Sequence, residues 1–136
     1  MKRTLVGLLG GLLACSCGKT TPQLGQDVAL VPKQPVTLAL GSPGHVEATL
    51  TELSDSRCPS DAVCIWAGTI MATVVLTDDG TAQTVRLGYQ KSYAADSVNV
   101  TLNRQKYWVR LLDATPYPST KNMGQLRAAT LRLRPA

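Results

Sequence analysis

The sequence predicts an all-β fold: an antiparallel two-sheet sandwich, immunoglobulin-like or a small barrel, of about eight strands. Three observations lead there. Apolar and polar residues alternate with a period of two wherever a stretch is long enough to test. The clearest case is residues 68–77, where Ile70, Ala72, Val74 and Leu76 alternate with Met71, Thr73, Val75 and Thr77. Turn-forming residues punctuate the chain at 41–44, 77–81, 103–106 and 116–124. Beyond residue 26, no stretch carries the 3.6-residue spacing of an amphipathic helix.

Taken in order, the chain opens on a segment that does not belong to this fold. Lys2 and Arg3 precede an uncharged apolar run of ten residues ending at Ala14, the layout of a secretory signal. A membrane-spanning helix needs roughly 20 apolar residues, and the run instead stops in Cys15, Ser16, Cys17, Gly18 and Lys19. Three glycines inside it also argue against a buried core helix. Leu12-Leu13-Ala14-Cys15 resembles the bacterial lipobox. That resemblance implies a diacylglycerol on the Cys15 thiol, cleavage before it, and an acylated new amino terminus. Ala14-Cys15-Ser16-Cys17 fits a relaxed form of the same motif, which makes Cys17 the alternative anchor. Two or three acyl chains hold a protein on a membrane durably, at about 0.8 kcal/mol per buried methylene. Ser16 is not the aspartate that retains enteric-type lipoproteins at the inner membrane, so the resemblance implies an outer-membrane destination in a Gram-negative host. The expected partner at this end is therefore the membrane, reached through the lipid, with the domain in the extracytoplasmic cell envelope.

Residues 1–14 are thus read as signal peptide, 15–26 as lipidated terminus and flexible tether, and 27–136 as one β domain. The tether carries Gly and Pro without apolar periodicity, and eleven such residues reach an r.m.s. distance of about 20 Å. The remaining 110 residues suffice for one compact domain and not two. Strands are expected at 27–31, 36–40, 45–53, 68–77, 84–89, 97–102, 107–114 and 126–133. The hairpin through Asp78-Asp79-Gly80 is the best specified, because its glycine can adopt a positive φ. The expected core comprises Val46, Ala48, Leu50, Ile70, Val74, Leu76, Val98, Val100, Val109, Leu111, Leu131 and Leu133, with Arg110, Thr130 and Arg132 on a solvated outer face.

Charge excludes one class of partner. The full chain carries a formal +5. Without Lys2 and Arg3, twelve basic residues face nine acidic ones. They are scattered, with no basic run and no interleaved aromatics, so no nucleic-acid partner is expected.

The most distinctive stretch runs from Asp55 through Gly68 and holds Cys58 and Cys64. Five residues between cysteines suit neither a Cys-x-x-Cys redox motif nor a zinc knuckle. In an exported protein the pair is expected to be bridged, which contributes roughly 2 kcal/mol. Trp66 shares its parity with Ile70 and Val74, which predicts that it points into the core.

Asp55-Ser56-Arg57-Cys58-Pro59, a short spacer, and then Cys64-Ile65-Trp66-Ala67-Gly68 resemble a motif of small bacterial secreted or lipid-anchored proteins. The likeness covers about fourteen residues, with a weaker echo at residues 111–118. Relatives in that group carry valine two positions before the second cysteine, where this chain has Ala62, with Val63 beside it. The group has no established activity, so the resemblance implies fold and location and no reaction. Two readings of the loop stand side by side. In one it is structural, with the disulfide pinning it, Trp66 plugging the core and Arg57 bonding Asp55 or carbonyls. In the other, Arg57, Ser60 and Asp61, with Tyr117 of the Pro116–Pro118 turn, form a binding edge for an envelope protein or wall polymer.

No catalytic set can be assembled. The single histidine, His45, lies at a strand start without a nucleophile elbow. One His and scattered carboxylates make no metal site, and no cofactor motif is present. A small envelope hydrolase using a carboxylate pair such as Asp55 and Asp113 is the alternative to a non-catalytic binding or structural module.

Overall fold

A computed structural model describes residues 18, 20–41, 44–89 and 96–136, so Cys15, Cys17 and the apolar leader lie outside the described residues. Eight strands appear among them: β1 Asp27–Leu30, β2 Pro35–Gly41, β3 Gly44–Asp55, β4 Ile70–Asp78, β5 Thr81–Tyr89, β6 Ser97–Leu102, β7 Gln105–Thr115 and β8 Ala128–Pro135. Two four-stranded antiparallel sheets result, ordered β1-β8-β7-β6 and β2-β3-β4-β5. The two sheets face each other as a sandwich and do not close into a barrel.

Local sequence accounts for the tight turns. Asp79 and Gly80 both take positive φ, 45° and 80°, between the paired residues Asp78 and Thr81. Two central residues of positive φ match the right-handed twist of the flanking strands. Asn103 and Arg104 do the same between β6 and β7, at 47° and 62°. The Asp78 carboxylate accepts a hydrogen bond from the Asn103 amide, tying these two turns together at one end of the sandwich.

The core forms from the inward residues of both sheets. Eleven of the twelve expected core residues are buried; Val98 is partly buried and packs against the cluster. Val28, Leu30, Leu38, Leu40, Val85, Leu87, Leu102 and Tyr107, with the small Ala72, Ala114 and Ala129, complete it, Tyr107 donating its hydroxyl hydrogen to Gln105 Oε1 at 3.1 Å. Among the described residues, every buried core side chain lies between Val28 and Leu133, a span contained in residues 17–136.

Three expectations are corrected. Trp66 is 61 % exposed and does not plug the core. The β4 alternation does not extend back to Trp66, because β4 begins at Ile70 and Gly68, with φ 74°, breaks the period between them. The tether is shorter than its composition suggests. The Pro22 carbonyl accepts from the Ala39 amide at 2.9 Å, Gln23 bridges Ala39, and the Gly25 amide donates to Leu133 O at 2.8 Å, so residues 22–26 are bonded to the sandwich. The last strand begins at Ala128, leaving Leu126 69 % exposed in the preceding loop.

Two β-bulges set which way the residues near one end of the sandwich face. Thr51 is the extra residue of β3 against β4, and Leu112 the extra residue of β7 against β8. A bulge reverses which face the residues after it point to. Hence Val46, Ala48 and Leu50 point inward before the first bulge, while Leu53 and Asp55 do so after it. Beyond the second bulge Ala114 is buried and Asp113 faces outward.

Candidate functional site

At the end of the sandwich away from the β4–β5 and β6–β7 turns, two loops meet: residues 56–69 from β3 to β4, and residues 116–127 from β7 to β8. The first is closed at its neck by backbone bonds from Ser56 N to Thr69 O at 2.9 Å and from Cys58 N to Ala67 O at 3.0 Å. Glycine is required at position 68. A Cβ there would lie 1.9 Å from Ser56 O and 2.7 Å from Arg57 Cα, in addition to the positive φ. Above the neck, the Cys58–Cys64 disulfide pins the tip, with Cα atoms 5.8 Å apart.

Beneath the loop sits Arg57, every nitrogen of its guanidinium engaged. Nε donates to Asp55 Oδ1 at 2.9 Å and Nη2 to Asp55 Oδ2 at 2.8 Å, a bidentate pair. Nη1 donates to Asp113 Oδ1 at 2.8 Å, and Nη2 also reaches the Ala114 carbonyl at 2.6 Å. The guanidinium lies 4.3 Å from the centroid of the Tyr117 ring, within cation–π range. Burial works against the Arg57 charge, but the bonds to Asp55 and the charges of Asp55 and Asp113 outweigh it and raise its pKa above the ordinary arginine value. Arg127 adds a second cation, its Nε 3.4 Å from Asp55 Oδ2 and also donating to Pro116 O at 3.1 Å.

The loops are cross-braced further out. Asp61 accepts from the Thr120 amide at 2.8 Å and the Thr120 hydroxyl at 2.6 Å. The Thr120 hydroxyl, then its amide, lower the Asp61 pKa below the usual aspartate value. The Ser60 amide donates to Pro118 O at 2.9 Å, and Asn122 Nδ2 donates to Tyr117 O at 2.8 Å. The structure thus brings Arg57, Ser60, Asp61 and Tyr117 together, as the sequence suggested, but engages three of them in holding one loop to the other. Ser60, Asp61 and Tyr117, the last 49 % exposed, also face solvent, while Arg57 is half-buried. Asp55 and Asp113 also converge, on a single guanidinium, where they act as its counter-ions. His45 stands exposed at the start of β3, near the opposite end.

What the sequence reading missed lies at the tip. Val63 and Ile65, flanking Cys64, are fully exposed, at 102 % and 106 %. With Trp66, Tyr117, Met123 and Leu126 they make six of the eight large exposed apolar side chains among the described residues, all on these two loops. The sequence signal was available: two β-branched residues in a loop, outside any alternating strand, beside a bridged cysteine. An open cleft of about 430 Å³ is bordered by Arg57, Ala67, Gly68, Asp113 and Tyr117. Its charged walls, Arg57 and Asp113, are paired with each other.

Compared with known protein families, curated proteins and solved structures, the chain matches none.

Proposed function

We propose that this chain is a lipid-anchored, extracytoplasmic binding module of the cell envelope, without a catalytic role, whose contact surface is the disulfide-pinned double loop. The observation that carries the reading is the full exposure of Val63 and Ile65 beside a half-exposed Trp66 on a loop that is otherwise rigidly braced. Exposed apolar side chains normally collapse onto the surface or lie scattered. A concentrated apolar set on a stiff support marks an interaction site, since little ordering entropy remains to be lost on binding.

The partner this chemistry fits best is a protein. Branched aliphatic side chains fill apolar pockets, whereas a wall polysaccharide is held by stacked rings and hydrogen-bonding groups. The layout agrees with an anchored role. The chain joins the sandwich at Pro22, bonded to Ala39 near the end of β2, while the double loop lies at the other end of β7, whose eleven residues extend about 35 Å. A lipid on Cys15 or Cys17 at the near end would leave the loop facing away from the membrane.

A photo-crosslinking residue at position 65 in the cell-anchored protein tests this, with one at Thr84 on the outer sheet face as the control. A discrete adduct at position 65, lost with Trp66→Ser, is the expected result. Absence of any adduct would overturn the contact site. Mass spectrometry of the mature amino terminus separately tests the anchor, and an unmodified terminus at Ser16 or beyond would remove it.

A further inference from the structure

Away from the double loop, the outer face of sheet β1-β8-β7-β6 is basic around one aromatic ring. Trp108 and Arg134 are cross-strand partners, as are Arg110 and Arg132 on the neighbouring rung. Lys106 lies two residues before Trp108 on the same face. Trp108, Arg110, Arg132 and Arg134 border an open cleft of about 320 Å³. Asp27 pairs with Arg132, and Asp96 with Arg110 at 2.7 Å. Lys106 and Arg134 form no ion pair among the described residues. Trp108 is 45 % exposed although it sits in mid-sheet. The outer face of the other sheet has the opposite balance, with Glu47 and Glu52 against Arg86.

The basic corner also adjoins the place where the tether arrives. Gly25 donates its amide hydrogen to the carbonyl of Leu133, the residue before Arg134. Because residues 22–26 are bonded to the sandwich, only residues 16–21 remain between Cys15 and the domain, a reach of at most about 20 Å.

We infer that the Trp108–Arg134 corner of this sheet face docks onto an anionic lipid surface, the headgroup layer of the membrane that holds the tether. The inference rests on the anchored reading for its geometry, though the face can be tested without it. Tryptophan is favoured at the headgroup boundary, where its ring is half apolar and its N–H finds a partner. Each basic side chain brought to an anionic surface tightens binding about fivefold, and neither Lys106 nor Arg134 is held in an ion pair among the described residues. The charge layout also selects a stance. Asp78 and Asp79 lie at the same end on the other sheet, so an upright domain would press carboxylates onto the anionic layer. Leaning onto β7 and β8 lowers the basic corner, lifts those carboxylates, and keeps the double loop at the far end.

The test uses residues 17–136 with Trp66→Phe, which leaves Trp108 as the sole tryptophan, coupled through the Cys17 thiol to a maleimide lipid. Vesicles are phosphatidylcholine alone or with phosphatidylglycerol, both carrying brominated acyl chains. On anionic vesicles Trp108 emission should shift to the blue and be quenched. Molar salt should reverse this, and Lys106→Gln with Arg134→Gln should cut the quenching by more than half while near-ultraviolet circular dichroism stays unchanged. Equal, unquenched emission on both vesicle types would overturn the docking, as would quenching indifferent to the double substitution. Protection of Trp108 by heparin but not by anionic vesicles would also overturn it, in favour of an acidic polysaccharide. Because the lipid is attached chemically, failure here is distinct from finding the native terminus unlipidated.

Discussion

Arg57 and Asp55, two residues apart, meet through two parallel N–H···O bonds of 2.9 and 2.8 Å, with the carboxylate side chain only 2 % exposed and the guanidinium 11 %. A pair so enclosed is held by geometry as much as by charge. Its remaining donors reach Asp113 and the Ala114 backbone, so one side chain from the β3–β4 loop clamps the end of β7. This clamp links the sequence motif to the stiffness of the loop above it.

Removing the clamp should therefore destabilise the fold. Arg57→Ala leaves Asp55 buried with Arg127 as its nearest cation, and breaking such a pair costs about 3 kcal/mol or more. Arg57→Lys should recover only part of that loss, because an ammonium cannot make the bidentate contact. Urea unfolding of the three proteins checks the order, and an unchanged midpoint for Arg57→Ala would refute it.

Gly68→Ala should be among the most damaging single-methyl additions. The new Cβ would meet backbone atoms of Ser56 and Arg57, which cannot swing away, in a conformation that L side chains rarely adopt. Overpacking and positive-φ strain together are worth about 3 kcal/mol. Thermal unfolding measures this, with Gly80→Ala, where nothing lies within 4 Å, as a milder comparison.

At the tip the reverse holds. Val63→Ser and Ile65→Ser remove no buried surface, so stability should stay within about 0.5 kcal/mol of the parent, while Val63→Ser in the protein crosslinked from position 65 should weaken the adduct. A substantial fall in stability would mean that these side chains pack against the fold.

Opening the disulfide should loosen the tip without unfolding the sandwich. Cys58→Ala with Cys64→Ala gives up about 2 kcal/mol on the chain-entropy account. Hydrogen exchange should quicken at Ser60 and Thr120, whose amides bridge the loops, and remain slow at Leu50 and Leu111 in the core.

The Asp61 brace carries a pH signature. Its folded-state pKa lies below the ordinary aspartate value of 3.8, through the Thr120 hydroxyl first and then the Thr120 amide. The contribution is therefore present above the unfolded value and lost as pH falls through the lowered folded one. An NMR titration of the Asp61 carboxyl should show its midpoint below 3.8, and Thr120→Val should move that midpoint upward. A midpoint unchanged by the substitution would deny the hydroxyl its role.

Much of the fold was legible because alternation is a local property. Ile70, Ala72, Val74 and Leu76 declare their face within a single strand, and Asp79-Gly80 declares its turn within two residues. The candidate site was legible only in outline. The spacing of Cys58 and Cys64 announces a closed loop, yet strand parity points Trp66 inward only if it is carried across Gly68, where the backbone leaves the extended region.

By itself, then, the sequence determined an all-β sandwich, most of its core and a bridged loop rich in turn residues, since each arises from neighbours along the chain. Tertiary structure alone decided that Asp55 turns inward and Asp113 outward. The register slips at Thr51 and Leu112 exist only against β4 and β8, and the long-range bonds to Arg57 and Thr120 join residues more than fifty positions apart. No local pattern encodes a bulge whose extra residue is defined by the strand across from it.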